Sequence, residues 1–258
     1  MIKMVFDNLI SFANDVDFQA TSICTEWKSV KKYEDRDDYP NYDYFPEEEN
    51  GKIVGFFGKD KQGNIKKVKG KKSFFINEKT NILETIVSLN RNYSVLKNEG
   101  IRSSFVILGT VEEPFGLITL ADLNKEPVSI LIWRIIRRVE MNLKEKIGEV
   151  DPIQLKKAID DEKKFSNITN SYNKLEKNRM DIDLANVLSL SEIMKIIKDK
   201  REFSNLNSLL SEKLDQNIID FRNKVSHHRT YKSLLAQAKE IQKLYIALEN
   251  LDQIIQHI

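Results

Sequence analysis

Every glycine of this chain lies between Gly51 and Gly148, and every proline between Pro40 and Pro152. From Ile153 to Ile258 there is neither. Glycine supplies the positive φ that tight turns need, and proline pre-sets turn geometry. The C-terminal stretch therefore lacks β-turn chemistry and is expected to be helical, while the earlier stretch is expected to be mixed. With 258 residues the chain is long enough for two domains. The expected division is an α+β domain over residues 1–125 and an all-α antiparallel bundle over 126–258.

Hydrophobic residues make up 41% of the chain and charged residues 31%, enough apolar side chain for a core. The 41 basic and 39 acidic residues nearly cancel, so any attraction for a polyanion must be local. Cys24 is the only cysteine, which leaves no intramolecular disulfide and no cysteine metal site. No apolar run has the length of a membrane span, and Met1 to Asp7 does not read as a signal peptide. The expectation is a soluble, cytoplasmic protein without a membrane partner.

The first part reads as short elements. Ser73 to Ile76 is a strand candidate, Asn81 to Leu89 a helix that Thr80 can cap, and Ser104 to Leu108 and Gly116 to Thr119 are strands. A short helix follows from Leu120, giving β-α-β-β-α order. Earlier, Ile10 to Val30 is largely helical in pattern. Tyr42 to Phe45 and Ile53 to Phe57 are strands around Glu49-Asn50-Gly51-Lys52. Setting Gly55 against Gly116 aligns two halves of a degenerate repeat.

The run Phe115-Gly116-Leu117-Ile118-Thr119-Leu120-Ala121-Asp122-Leu123 resembles the end of a CBS motif, in which a strand G-I-I-T enters a helix x-x-D-L. Such motifs occur in pairs, as βαββα repeats that often bind adenine nucleotides. The resemblance implies Thr119 and Asp122 as ligand contacts, with an adenine nucleotide as regulator. The first repeat departs from it, with Gly58 in place of Thr and Lys61 in place of Asp. A second account of the same residues needs no ligand: Thr caps a helix, and Asp in a first turn favours the dipole.

In the second part, Pro127 opens a helix whose Leu131, Ile132, Ile135, Ile136, Val139, Leu143 and Ile147 recur at helical spacing. Its other face carries Arg134, Arg137, Arg138 and Asn142. Asp151-Pro152 opens a helix through about Lys177, and Ser189 with Glu192 forms a capping-box pattern. Further helices are expected from about Leu206 to Val225 and from near Tyr231 to the end. On the former, Leu210, Leu214, Ile218, Phe221 and Val225 mark one buried face. Asn223 and His227 each lie about 200° around from the core residue two before it, so they face away from their own core. Arg222 sits between the faces, and its stem can lean to the polar side.

Phe221-Arg222-Asn223-Lys224-Val225-Ser226-His227-His228-Arg229 resembles the R-N-x-x-x-H form of the R-x4-6-H motif of HEPN domains. His228 also fits the spacing. Val139-Glu140-Met141-Asn142-Leu143 resembles the first helix of that family, which often carries a functional acid. The resemblance implies a homodimeric, metal-independent RNA endonuclease with no catalytic cofactor, in a defence or stress role. In that family the RNA 2′-hydroxyl attacks the adjacent phosphorus, giving a 2′,3′-cyclic phosphate and a 5′-hydroxyl. It assigns proton transfer to His227, phosphate stabilisation to Arg222 and positioning to Asn223. Glu140 would orient or assist, and Arg137, Arg138, Asn142 and His228 would hold RNA. Imidazole titrates near neutrality and a guanidinium fork matches phosphate, so the chemistry fits the residue types. Some family members are instead modified on Tyr in R-x4-H-x-Y, but Arg229 stands in that place. The alternative is a non-catalytic nucleotide-sensing or dimerisation scaffold.

His227 and His228 are adjacent rather than four apart, which is a poor metal spacing. The seven lysines between Lys59 and Lys72 read as a solvated connector more readily than as an RNA track. Trp27 and Trp133 stand in apolar surroundings and are expected in the core.

Overall fold

In a computed structural model the chain is a mixed α+β protein. The structure describes residues 6–13, 18–39, 42–50, 52–69, 71–148, 150, 152–159, 161–178, 184–199, 218–220, 222–223, 235 and 239–257.

Strand β6 (Phe105–Gly109) organises the N-terminal part. It is paired antiparallel with β7 (Pro114–Thr119) and parallel with β5 (Phe75–Ile76). The two-residue β1 (Thr25–Glu26) adds to the far edge of β7, giving the order β1-β7-β6-β5. The parallel pair is joined through helix α2 (Ile82–Asn98), as a parallel connection requires. A separate antiparallel meander comprises β2 (Tyr44–Glu49), β3 (Lys52–Lys59) and β4 (Ile65–Lys69).

Alternation along β6 explains how these parts stack. Phe105 and Ile107 belong to one apolar cluster with Phe56 and Val68 of the meander; Val106 and Leu108 belong to another with the helices. Successive side chains of a strand point to opposite faces. The four-stranded sheet thus lies between the meander on one face and helices on the other. The helical cluster continues without interruption across residue 125, from Leu9 and Ile86 to Ile136, Ile197 and Leu251.

Helix α3 (Glu126–Ile147) buries its whole apolar stripe, Leu131 through Ile147, and ends at Gly148 with φ 63°. After it come α4 (Pro152–Ala158), α5 (Glu162–Lys177), α6 (Leu190–Asp199) and α7 (Glu240–His257). Residues 218–220 and 222–223 are helical. Helix α1 (Asp7–Ala13) docks on α7, where Asp252 accepts hydrogen bonds from Leu9 N at 2.7 Å and Asn8 Nδ2 at 3.1 Å. Among the described residues no helix is long and apolar enough to cross a membrane.

Several expectations are corrected. Ile10 to Val30 is not largely helical: α1 stops at Ala13, and single 3-10 turns at Ala20–Ser22 and Trp27–Ser29 flank β1. Pairing of Thr25 with Leu117 outweighs local propensity there. The lysine-rich connector contains β4, whose Lys67 pairs with Glu47 at 2.8 Å. Asn81, not Thr80, caps α2 by accepting from Glu84 N at 2.9 Å, and the helix runs on to Asn98. Lys72–Phe74 is a 3-10 turn before β5. The helix expected from Pro152 to Lys177 is two, because Asp161 caps a new start by accepting from Lys164 N at 2.9 Å.

The unit β5-α2-β6-β7 has the β-α-β-β order read between residues 73 and 119. Among the described residues the earlier segment has no α-helix between its strands, only 3-10 turns at Trp27–Ser29 and Tyr33–Asp35. Gly55 and Gly116 therefore lie in different sheets rather than at matching places of two like units.

Candidate functional site

Two groups of side chains carry the chemistry singled out in the sequence. The first begins with the turn around Arg222. Ile218 is buried and anchors that turn in the helical core, while Arg222 and Asn223 are half-buried. Arg222 Nη1 donates to Asn223 Oδ1 at 3.2 Å. The contact turns the amide carbonyl toward the guanidinium and ties both groups to one patch. His227 and His228 lie outside the described residues, as do Phe221 and the start of this helix.

On α3, Glu140 is the residue where the polar face meets the core. It is buried, and its carboxylate is paired on both sides: Arg137 Nη1 is 3.0 Å away and Lys144 Nζ 3.1 Å away. A buried carboxylate needs such partners, because desolvation otherwise disfavours its charge. One carboxylate thus holds two cations on neighbouring turns. Arg137 and Arg138 are exposed, and Asn142 is half-buried. The structure brings together Arg222 with Asn223 and Glu140 with Arg137.

The second group sits where β7 enters a 3-10 turn at Leu120–Asn124. Asp122 Oδ2 accepts from Thr119 N at 2.7 Å and from Thr119 Oγ1 at 3.0 Å, and Lys125 Nζ meets Oδ1 at 2.8 Å. These bonds close the turn as a cap. Lys125 also donates to Ile23 O at 2.5 Å, and so holds the approach to β1. Gly116 is needed beside it, since a Cβ there would come within 3.0 Å of Cys24 Sγ and Thr25 O.

Thr119 and Asp122 also line a cavity of about 380 Å³, together with Thr25, Lys31, Tyr42, Tyr44 and Ser103. That volume falls within the range of small-molecule sites. Tyr44 is buried, with its hydroxyl toward Ser103. Burial pushes its phenol well above the usual range, so it stays a neutral donor. At the mouth, Arg102 pairs with Asp43.

Sequence reasoning missed most of this cavity, because Tyr42, Tyr44 and Ser103 converge only when the meander folds over the sheet. It also misplaced Trp133, which is 46% exposed on α3 rather than in the core. The signal was available: Trp133 stands two residues after Leu131, about 200° from the buried stripe. Trp27 is half-buried, with Nε1 donating to Glu48 Oε1 at 2.9 Å.

Compared with known protein families, curated proteins and solved structures, the chain finds no match.

Proposed function

We propose that the chain is a metal-independent RNA endonuclease of the HEPN type, acting as a homodimer and regulated through its N-terminal part. The observation that carries this reading is the contact of Arg222 with Asn223 on one helical turn, in a segment that continues to His227. Arg222 would hold the non-bridging oxygens of a phosphodiester as negative charge develops. His227, or His228 beside it, would take the proton of the 2′-hydroxyl. That oxygen then bonds to phosphorus as the P–O5′ bond breaks, and the departing 5′-oxygen takes a proton. The products are a 2′,3′-cyclic phosphate and a 5′-hydroxyl. Asn223 positions the guanidinium, and Glu140 holds Arg137 on α3. In a two-fold dimer the same residues of each copy face one cleft.

The cavity beside Thr119 supports an adenine nucleotide as regulator. Lys31 would meet its phosphates and Tyr42 its base. Calorimetry with adenine mono-, di- and triphosphates tests this arm, and a bound nucleotide that leaves cleavage unchanged removes the regulatory claim.

A second reading, a dimerising scaffold without chemistry, draws on the exposed apolar residues Ile130, Trp133 and Met141 of α3. Mixed RNA incubated in chelator with wild type, Arg222→Ala and His227→Ala separates the two. The enzyme reading expects cleavage by wild type alone. Absence of cleavage by wild type with or without nucleotide favours the scaffold.

A further inference from the structure

We infer that the cavity beside Thr119 takes a nucleotide with a single phosphate, and that the Asp43–Arg102 pair at its mouth sets this limit by denying the ligand a second cation. This rests on the proposed nucleotide site and names which nucleotides that site takes.

The charges of the cavity wall nearly cancel. Among the described residues its charged lining is Lys31, Asp43 and Asp122. Asp122 is matched by Lys125, whose ammonium also meets the carbonyls of Ile23 and Cys24, so all three of its N–H groups are used. Asp43 is matched by Arg102, whose Nε donates to Oδ1 at 3.0 Å. That leaves Lys31. Its Nζ stands 4.6 Å from the centre of the Tyr39 ring and forms no ion pair among the described residues. The wall thus offers one uncompensated positive charge, which suits one anionic group.

The Asp43–Arg102 pair is held by a single residue of the meander. Lys59 N donates to Asp43 O at 3.1 Å, and Arg102 N donates to Lys59 O at 3.0 Å. Lys59 closes β3, so the end of that strand fixes the start of β2 against the loop before β6. The pairing is set by the fold before any ligand arrives. Each further phosphate adds negative charge to a wall that already carries two carboxylates and has no cation left, and like charges brought together oppose binding. At about 380 Å³ the cavity also stands near the small end of ligand sites.

The test is calorimetry on the full chain with adenosine 5′-mono-, di- and triphosphate, in chelator so that no divalent cation offsets the phosphates. The monophosphate is expected to bind tightest, and the triphosphate about ten-fold more weakly or worse. Lys31→Gln is expected to weaken the monophosphate about ten-fold. Asp43→Asn frees Arg102 and is expected to bring the triphosphate level with the monophosphate or past it. Adding Arg102→Gln to Asp43→Asn is expected to cancel that gain. A triphosphate that binds wild type as well as the monophosphate does overturns the charge limit and leaves the nucleotide site standing. No gain for the triphosphate in an Asp43→Asn protein that still melts cooperatively overturns the role of the pair. Should Asp43→Asn not fold, Arg102→Gln decides: the bared Asp43 is expected to weaken the monophosphate, and unchanged binding overturns the inference. Binding of none of the three nucleotides removes the nucleotide site and this inference with it.

Discussion

Asn124 and Leu235 exchange two hydrogen bonds across most of the helical part of the chain. Leu235 N donates to Asn124 Oδ1 at 2.7 Å, and Asn124 Nδ2 donates to Leu235 O at 3.3 Å. Asn124 closes the 3-10 turn begun by Thr119, so the end of the sheet is fastened to the segment that leads into α7. Replacing it by Ala leaves a backbone N–H and C=O unpaired at a buried residue. Asn124→Ala is expected to cost about 1–3 kcal/mol. A lowered urea midpoint at unchanged slope is the expected result, and an unchanged midpoint removes the fastening role.

Glu192 gives the account a pH dependence. Burial opposes its ionisation, but hydrogen bonds from Lys164 and Ser189 outweigh burial and hold its carboxyl below the ordinary range. Ser189 N donates to it at 2.6 Å, completing the cap read from the sequence. A carboxyl with a depressed folded pKa contributes stability that is present above its unfolded pKa, about 4.3, and lost as pH falls through the folded value. Thermal melts should therefore show Glu192→Gln already less stable at neutral pH, with a shallower loss on acidification. Parallel acid limbs for the two proteins contradict this.

The β6–β7 connection depends on Gly109. Its φ is 103°, and a Cβ there would lie 2.4 Å from Glu113 O and 2.9 Å from Phe115 N. Gly109→Ala meets both an unfavourable backbone region and a backbone clash. A loss above about 1 kcal/mol is expected by chemical denaturation. A fully stable variant would mean that this turn adopts another form.

Glu140 separates structure from catalysis on α3. With Arg137 and Lys144 both on its carboxylate, Glu140→Gln removes charge from a buried cluster and leaves two cations facing each other. A destabilisation of about 1–3 kcal/mol is expected. RNA cleavage by the folded fraction should fall less than in Arg222→Ala. An equal fall in both, at unchanged stability, would place Glu140 among the groups that touch the substrate.

These elements were not equally legible in the sequence. The stripe of α3 could be read because helical spacing persists from Leu131 to Ile147 and every member is buried. Strand β6 could be read as an apolar run because both its faces are covered, one by Phe56 and one by the helices. β1 could not, since two residues carry no period and their partner, Leu117, lies far along the chain. The break between α4 and α5 has neither Gly nor Pro, and only the cap at Asp161 marks it. Arg222 and Asn223 were singled out because Asn223 stands about 200° around the helix from Phe221 with Arg222 between the faces, and both are half-buried. The cavity at Thr119 was not, because its wall comes from β2 and the loop before β6, which local pattern does not join.

The central claim is a reaction begun by the RNA 2′-hydroxyl under Arg222 and His227. The most direct measurement is the end-group left on a defined single-stranded RNA cut in chelator, read beside the same RNA with one deoxynucleotide 5′ to the cleaved bond. The account predicts a 2′,3′-cyclic phosphate and a 5′-hydroxyl. It also predicts no cut at the deoxy position, and a loss of about 10²–10⁴-fold in rate for His227→Ala. A 3′-hydroxyl product, or cleavage that persists at the deoxy position, would contradict it.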